Sequence, residues 1–317
     1  LYLTAIDKYG HELWRWTFPV DKLNQQTEPI SLLSIRPTYT ETENDLTVKA
    51  NKRTFIFSKK DGQLKGVSVD NRKISFANGP RFIGARRADR SLDQFYNHDD
   101  EKAKEKDRTY SEFPDAAVFT KLDVKQEGGD LIVTANYKLG NLDKAQWTIS
   151  PSGDLVLDYT YNFSGVVDLM GICFDYPEDQ VISKRWLGAG PYRVWQNRVH
   201  GTQYDVWEND YNDPIPGETF TYPEFKGYFG DVSWMNIRTK EGIISLTNET
   251  PNAYVGIYQP RDGRDRLLYT LPESGISLLN VIPPVRNKVN STDLCGPSSQ
   301  PKWVNGPQTG RIVFRFE

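Results

Sequence analysis

The 317-residue chain is short of several things, and each shortage removes a class of function. It has 2 Cys and 3 His in no metal-type spacing, so a zinc centre has no ligand set. Cys173 and Cys295 could pair, but two thiols so far apart in sequence decide nothing about redox compartment. No apolar run approaches the length of a membrane-spanning helix. Lys and Arg number 39 against 42 Asp and Glu, a net charge of -3, which leaves no basic footprint for nucleic acid. No strong amphipathic helix is visible. The one helix-like stretch, Ser91 to Arg108, is densely charged and reads as a solvated helix or an excursion loop. There is no repeat of fixed period and no low-complexity tract. No leader precedes Leu1, which opens inside a strand-like run, so the sequence reads as a segment of a longer polypeptide.

What the chain does have is aromatic residues and turn formers: 17 Tyr, 15 Phe and 8 Trp among 24 Gly and 19 Pro. Leu3–Ile6, the turn Asp7 to Gly10, and Leu13 to Phe18 predict a hairpin over 1–20 with Trp14, Trp16 and Phe18 on one face. Two strands cannot bury such a face alone, so the hairpin reads as the end of a preceding sandwich domain. Residues 21–45 are polar and Pro-containing and read as a linker. From Leu46 the strand signals repeat: Leu46–Ala50, Arg53–Ser58, Leu64–Val69, Asp130–Leu139, Ile243–Asn248, Tyr254–Gln259, Gly275–Ile282 and Arg311–Phe316. The clearest hairpin runs from Trp147 to Phe163 around Pro151-Ser152-Gly153-Asp154, with Leu155, Leu157, Tyr159, Tyr161 and Phe163 on one face. Many strands and almost no helix predict an all-β fold of two large antiparallel sheets over 46–317, too long for an immunoglobulin-type sandwich of about 100 residues.

Function concentrates in the stretch Trp186 to Trp234. It pairs flat aromatic faces with carboxylates, amides and guanidinium groups, the combination that stacks on sugar C–H faces and fixes hydroxyls. The same residue types also build sandwich cores. The candidates for sugar contact are Tyr192, Trp195, Arg198, Tyr204, Trp207 and Glu224, with Arg198 able to fork onto hydroxyls or a uronate or to pair with Asp205. Trp147, Trp186 and Trp234 read as core. Asp205, Glu208, Asp210, Asp213, Glu218 and Glu224 are abundant carboxylates, but nothing pairs two of them for hydrolysis. Asp205, Glu208, Asp210, Asn212 and Asp213 could supply oxygens to Ca²⁺ but miss the EF-hand spacing, and ordinary turn roles suit them, so no metal is expected. Gly188 and Gly190 read as a tight strand turn rather than a phosphate loop, because no helix follows. A sugar epimerase would need a His acid and a carboxylate base. His11 and His98 lie outside the aromatic stretch, which leaves His200 with Glu208 or Glu224 as the one pairing. No cofactor is expected.

Several segments carry a resemblance. Thr54 to Leu64 and Asn78-Gly79-Pro80-Arg81-Phe82 resemble the start of the C-terminal domain of glycoside hydrolase family 2 enzymes of the β-galactosidase type. Gly188-Ala189-Gly190-Pro191-Tyr192 with Asn197-Arg198, then Pro223, Gly227, Asp231, Val232 and Trp234, are similar to its middle segments, and Gly310 to Phe314 to its last strand. Val194 and Trp195 stand where the family carries a Glu and a Tyr. The resemblance implies a galactose-mutarotase-like supersandwich, preceded by the end of an immunoglobulin-like domain. It implies a role without hydrolytic residues of its own, because the two catalytic Glu sit on a separate (β/α)₈ barrel of about 250 residues. It further implies carbohydrate and the rest of the parent chain as partners, a periplasmic or secreted setting, and Trp303 as the aromatic that reaches toward the sugar site.

Overall fold

The computed structural model describes residues 1–18, 35–87, 110–210, 227–258, 272, 274–284 and 296–317. Ser91–Arg108 therefore lies outside the described residues, as does most of 21–45. A two-stranded sheet opens the chain, β1 (Tyr2–Ile6) with β2 (Glu12–Thr17). The next six strands are β3 (Thr38–Glu41), β4 (Asp45–Ala50), β5 (Arg53–Ser58), β6 (Leu64–Val69), β7 (Arg72–Ile74) and β8 (Ala77–Arg87). They are followed by β9 (Tyr110–Glu112), β10 (Val118–Glu127), β11 (Asp130–Lys138), β12 (Leu142–Ile149), β13 (Leu155–Val167) and β14 (Leu169–Asp175). The last seven are β15 (Val181–Gly190), β16 (Gln203–Asp210), β17 (Trp234–Thr239), β18 (Gly242–Asn248), β19 (Tyr254–Tyr258), β20 (Gly275–Val281) and β21 (Lys302–Phe316). Among the described residues there is no α-helix.

The strands form two large antiparallel sheets. A 9-stranded sheet runs β10-β11-β12-β13-β21-β18-β17-β15-β16. A 10-stranded sheet runs β19-β20-β14-β8-β6-β5-β4-β3, with β7 on β6 and β9 on β8. β3 shows that the second sheet starts inside the stretch 21–45 that composition reads as linker: Thr38–Glu41 pairs with Leu46–Lys49. Four exposed residues at a sheet edge give the sequence no alternation to display.

The inner faces follow period two. On β13, Leu155, Leu157, Tyr159, Tyr161 and Phe163 all turn into the core, and β12 adds Trp147. From the opposite sheet come Phe55, Phe57, Phe76 and Phe174. Phe76 stacks on Phe174 at 4.6 Å and lies 5.1 Å from Phe314, while Phe174 meets Trp147 edge-on at 6.0 Å. Rings tilted or edge-on at such distances gain roughly 0.5–1.5 kcal/mol per pair beyond area burial. The turn before β13 forms as its Ser-Gly-Asp chemistry dictates: Gly153 takes φ 86° and its N–H donates to the Ser150 carbonyl at 2.9 Å. β10, an edge strand, carries Lys121–Asp123 and Lys125–Glu127 pairs at 2.7 Å each, charges that discourage edge-to-edge association.

Outside the core, Arg315 forks onto Asp154 at 2.8 and 2.9 Å. Burial pushes the Asp154 carboxyl up, but the Arg315 hydrogen bonds and charge outweigh it and hold the pKa below its ordinary value. The resulting stability is present above the unfolded carboxylate pKa of about 3.9 and is lost as pH falls through the lower folded value. Arg315→Ala should therefore cost stability at pH 7 and little at about pH 2, as read by urea unfolding at each pH. Phe174→Ala should cost about 3–5 kcal/mol in the same assay.

Candidate functional site

β15 and β16 are the outermost pair of the nine-stranded sheet, and residues 191–202 connect them. That connection lies over the outer face of the other sheet. Along β8, β14 and β20 the residues alternate: Phe82, Ile172 and Leu278 join the main core, whereas Ile83, Ala85, Leu169, Cys173 and Leu279 form a second buried cluster. Val194, Trp195, Tyr228 and Ile282 cover that cluster. Val194 and Tyr228 exchange both backbone hydrogen bonds, at 2.7 and 2.9 Å, and Phe229 pairs with Val255 at 2.9 Å. Gly227 adopts φ 65°, and a Cβ there would stand 2.8 Å from Trp195 Nε1 and 2.9 Å from Arg193 Cβ, so glycine is required.

Polar side chains stitch this cover down. Gln196 N–H donates to the Pro283 carbonyl at 3.1 Å, and its Nε2 donates to the carbonyls of Ser298 and Gln300 at 2.9 and 2.7 Å. Asn197 Nδ2 donates to Ser299 Oγ at 2.9 Å. Buried Arg87 donates through Nη1 to the Pro284 carbonyl at 2.6 Å, and its N–H donates to Asp168 Oδ2 at 2.8 Å. Burial holds the Tyr228 phenol well above its ordinary pKa, despite the opposing charge of Arg87. Below, burial pushes the free Cys173 thiol up to about 11, although Arg81 Nη2 lies 3.8 Å away, so it is packed rather than nucleophilic.

The sequence candidates separate by exposure. Tyr192 is 53% exposed, Trp303 is 71% exposed, and Arg198 is exposed, so these three present free surface. Trp195 is 2% exposed and meets Tyr228 edge-on at 5.6 Å, so its ring is occupied in packing. Tyr204 is half-buried, its hydroxyl 2.6 Å from Ser233 Oγ. Trp207 lies across the end of β15, its Nε1–H directed at the carbonyls of Gln203 and Gly188, at 3.0 and 3.2 Å. A Cβ on Gly190 would stand 2.4 Å from the Trp207 ring, which is why glycine occupies that place; Gly190 is the last residue of β15, and Gly188 lies within the strand opposite Asp205 rather than in a turn. Glu224, with Asn212, Asp213, Glu218 and Pro223, lies outside the described residues. Trp147 and Trp186 are buried core, while Trp234 is half-buried with Arg185 5.9 Å above its ring.

The other chemistries find little geometry. His200 is exposed in a turn closed by Thr202 Oγ1 donating to Val199 O at 3.0 Å. Glu208 sits five residues along β16 from Gln203, about 16 Å at the usual strand rise, and no hydrogen bond or ion pair joins it to His200 among the described residues. Asp205 accepts Tyr2 Oη–H at 2.9 Å and its neighbour Val206 N–H at 2.7 Å, which ties it to the opening hairpin rather than to Arg198. Glu208 and Asp210 point to the other face of β16. Among the described residues no three His, Cys, Asp or Glu groups gather to hold a metal ion. The sequence named Asn197 only as part of a family-like segment, and the stitching role of Gln196 and Asn197 and the Arg87–Asp168 contact went unread, because isolated polar residues next to a Trp carry no pattern.

Three comparisons bear on this chain. The family described as "Beta galactosidase small chain" matches residues 49–283, from within β4 to just past β20. No curated protein sequence matches. Similar solved structures include a galactose 1-epimerase from Lactobacillus acidophilus NCFM, 10% identical with TM-score 0.48, covering 90% of this chain and 99% of that one. Another is a GalM/aldose epimerase homologue from C. elegans, 8% identical with TM-score 0.43, covering 88% and 99%. Likeness at that level says nothing about substrate or chemistry.

Burial separates the candidates experimentally. Trp195→Ala should lower unfolding stability by about 3–5 kcal/mol. Tyr192→Ala should stay within about 0.5 kcal/mol of the parent chain in the same denaturant titration.

Proposed function

This chain belongs to the β-galactosidase small chain family, and on that premise we propose that it is the non-catalytic supersandwich of a family 2 β-galactosidase-like glycoside hydrolase. In this reading it packs on a catalytic barrel carried elsewhere and contacts carbohydrate at the rim formed by Tyr192, Arg198 and Trp303. The family match over most of the chain carries the reading. The strand order supports it: every pairing is antiparallel, so the parallel strands that place catalytic carboxylates at the mouth of a (β/α)₈ barrel are absent from the described residues. Two carboxylates near the rim are engaged, Asp205 with Tyr2 and Asp168 with the Arg87 N–H.

The opening hairpin fits the same reading. Its register places Leu3 opposite Trp16 and Ala5 opposite Trp14, and Phe18 N–H donates to Leu1 O at 2.9 Å. One face is thus Leu1, Leu3, Ala5, Trp14, Trp16 and Phe18, with both Trp and Phe18 44–48% exposed. A two-stranded sheet with a wholly apolar face is half of a sandwich core. We assign it to an immunoglobulin-like domain of the same polypeptide, with residues 1–20 as its last hairpin; the connection read over 21–45 ends before Thr38, where β3 joins the supersandwich that carries the rest of the chain to 317. Tyr2 Oη–H on Asp205, and Gln203 Nε2 donating to the Arg15 carbonyl at 3.0 Å, fasten the hairpin to β16.

Two measurements test this reading. The purified chain should release no nitrophenol from nitrophenyl β-galactoside above a buffer control; turnover abolished by a single carboxylate substitution would overturn the proposal. Trp14→Ser with Trp16→Ser should reduce concentration-dependent self-association in sedimentation without shifting Tm, because that face meets no partner among the described residues.

A further inference from the structure

We propose that the outer face of the β13–β21 ribbon, Thr160 to Val166 opposite Trp303 to Thr309, is a binding strip for a neutral oligosaccharide; this rests on the carbohydrate-contacting reading above and gives it a place and a ligand class. The register fixes the strip: Val166 faces Trp303, Ser164 faces Asn305, Asn162 faces Pro307 and Thr160 faces Thr309. These eight residues share one face by strand alternation, and none is charged. Trp303 is 71% exposed and Val166 38%, while the residues between them on the other face, Phe163 and Val167, are buried. The ribbon is unusual in its surroundings. β12 stops pairing with β13 at Tyr161, and β18 pairs with β21 only from Ile312 onward. Among the described residues the distal part, 162–167 with 302–310, therefore has no strand on either side. That arrangement tolerates Pro307, which has no N–H to offer a neighbour.

The strip is rigid despite projecting. Phe163 on its underside packs on Phe82 at 5.8 Å and edge-on to Phe113 at 5.2 Å. Ser164 Oγ donates to Asn305 Oδ1 at 2.8 Å across the strands. Asn141 Nδ2 donates to the Asn162 carbonyl at 2.8 Å, and Asn162 Nδ2 donates to Asp143. The exposed Trp303 indole on such a platform offers its faces to a sugar ring, and the amides and hydroxyls beside it both donate and accept.

Charge and size choose the ligand. The fixed charges next along the same face are consumed in pairs: Arg311 with Asp158 at 2.7 Å and Glu249 at 2.9 Å, and Arg315 with Asp154 at 2.8 Å. None of the eight strip residues is a cation, and the cation nearest on this face, Lys144 opposite Thr160, stands at the end away from Trp303, so the Trp303 end offers nothing to a uronate or phosphate. Six steps of about 3.3 Å from Thr160 to Val166 give a length near 20 Å. With two strands and their side chains about 10 Å wide, the area is roughly 200 Å², a quarter of the about 800 Å² per partner of a stable protein interface. An extended saccharide suits that shape, and a protein partner does not.

The test is calorimetric and fluorescence titration of the full chain with neutral galacto-, gluco- and xylo-oligosaccharides of three or more units, and with an oligogalacturonide. Neutral chains should bind and quench Trp emission. Trp303→Ala should weaken binding at least tenfold and Asn305→Ala severalfold, with unchanged Tm, while Tyr9→Ala on the hairpin turn leaves affinity unchanged. Binding that survives Trp303→Ala but is lost in a Tyr192→Ala, Arg198→Ala double variant would overturn the strip and leave the carbohydrate reading standing. Preference for the uronide would overturn the ligand class. Self-association abolished by Trp303→Ala would make the strip a contact between copies instead. No binding of any saccharide would sink both the strip and the reading beneath it.

Discussion

The nine-stranded sheet exists because its C-terminal strand lies between two halves that do not otherwise touch as strands. β21 pairs with β13 along the whole run from Leu155↔Phe314 to Val167↔Lys302, and with β18 from Ile244↔Phe316 to Asn248↔Ile312. On one side stand β10 to β13; on the other, β18, β17, β15 and β16. Removing β21 leaves two four-stranded pieces, each with an open edge. The same strand turns Ile312, Phe314 and Phe316 into the core against Phe55 and Phe76 of the opposite sheet. Arg53 of that sheet donates through Nε to the Phe316 carbonyl at 2.7 Å. The sandwich is thus completed by pairing across a long sequence separation, as between Leu155 and Phe314, and such non-local closure is slow.

That constraint reaches the surface. The run 298–300, which leads into β21, accepts the hydrogen bonds of Gln196 and Asn197, so the loop bearing Tyr192 and Arg198 is positioned by the strand that bears Trp303. The loop in turn covers a second apolar cluster on the outer face of the ten-stranded sheet. A sheet covered on both faces gives a stiff support, and binding residues carried by loops on stiff supports lose less freedom when a ligand arrives. The hairpin clamps the far side of the same loop through Tyr2 and Arg15 at the start of β16.

Much of the architecture was legible where one face is wet. Arg53–Ser58 and Leu64–Val69 coincide with β5 and β6, and the Trp147–Phe163 hairpin with its Ser-Gly-Asp turn is present, because alternation and turn chemistry act locally. β14 was silent: Leu169 to Phe174 is buried on both faces, so it shows an apolar run instead of a period. β21 read as six residues and spans 302–316, because Asn305, Pro307 and Gly310 look like a loop until a partner strand supplies the ladder. At the site, residue type identified the aromatics but not their exposure. Trp195 and Tyr192 are three residues apart, yet only Trp195 meets Tyr228, which lies 33 residues further along the chain.

The most direct test of this dependence is native-state hydrogen exchange along β21. The amides of residues 311–316 should exchange only through global unfolding, with the same free energy and denaturant dependence as the core strands β5 and β13. Exchange of those amides at a clearly lower free energy, while β5 and β13 stay protected, would show that the sandwich stands without its last strand and would contradict the account.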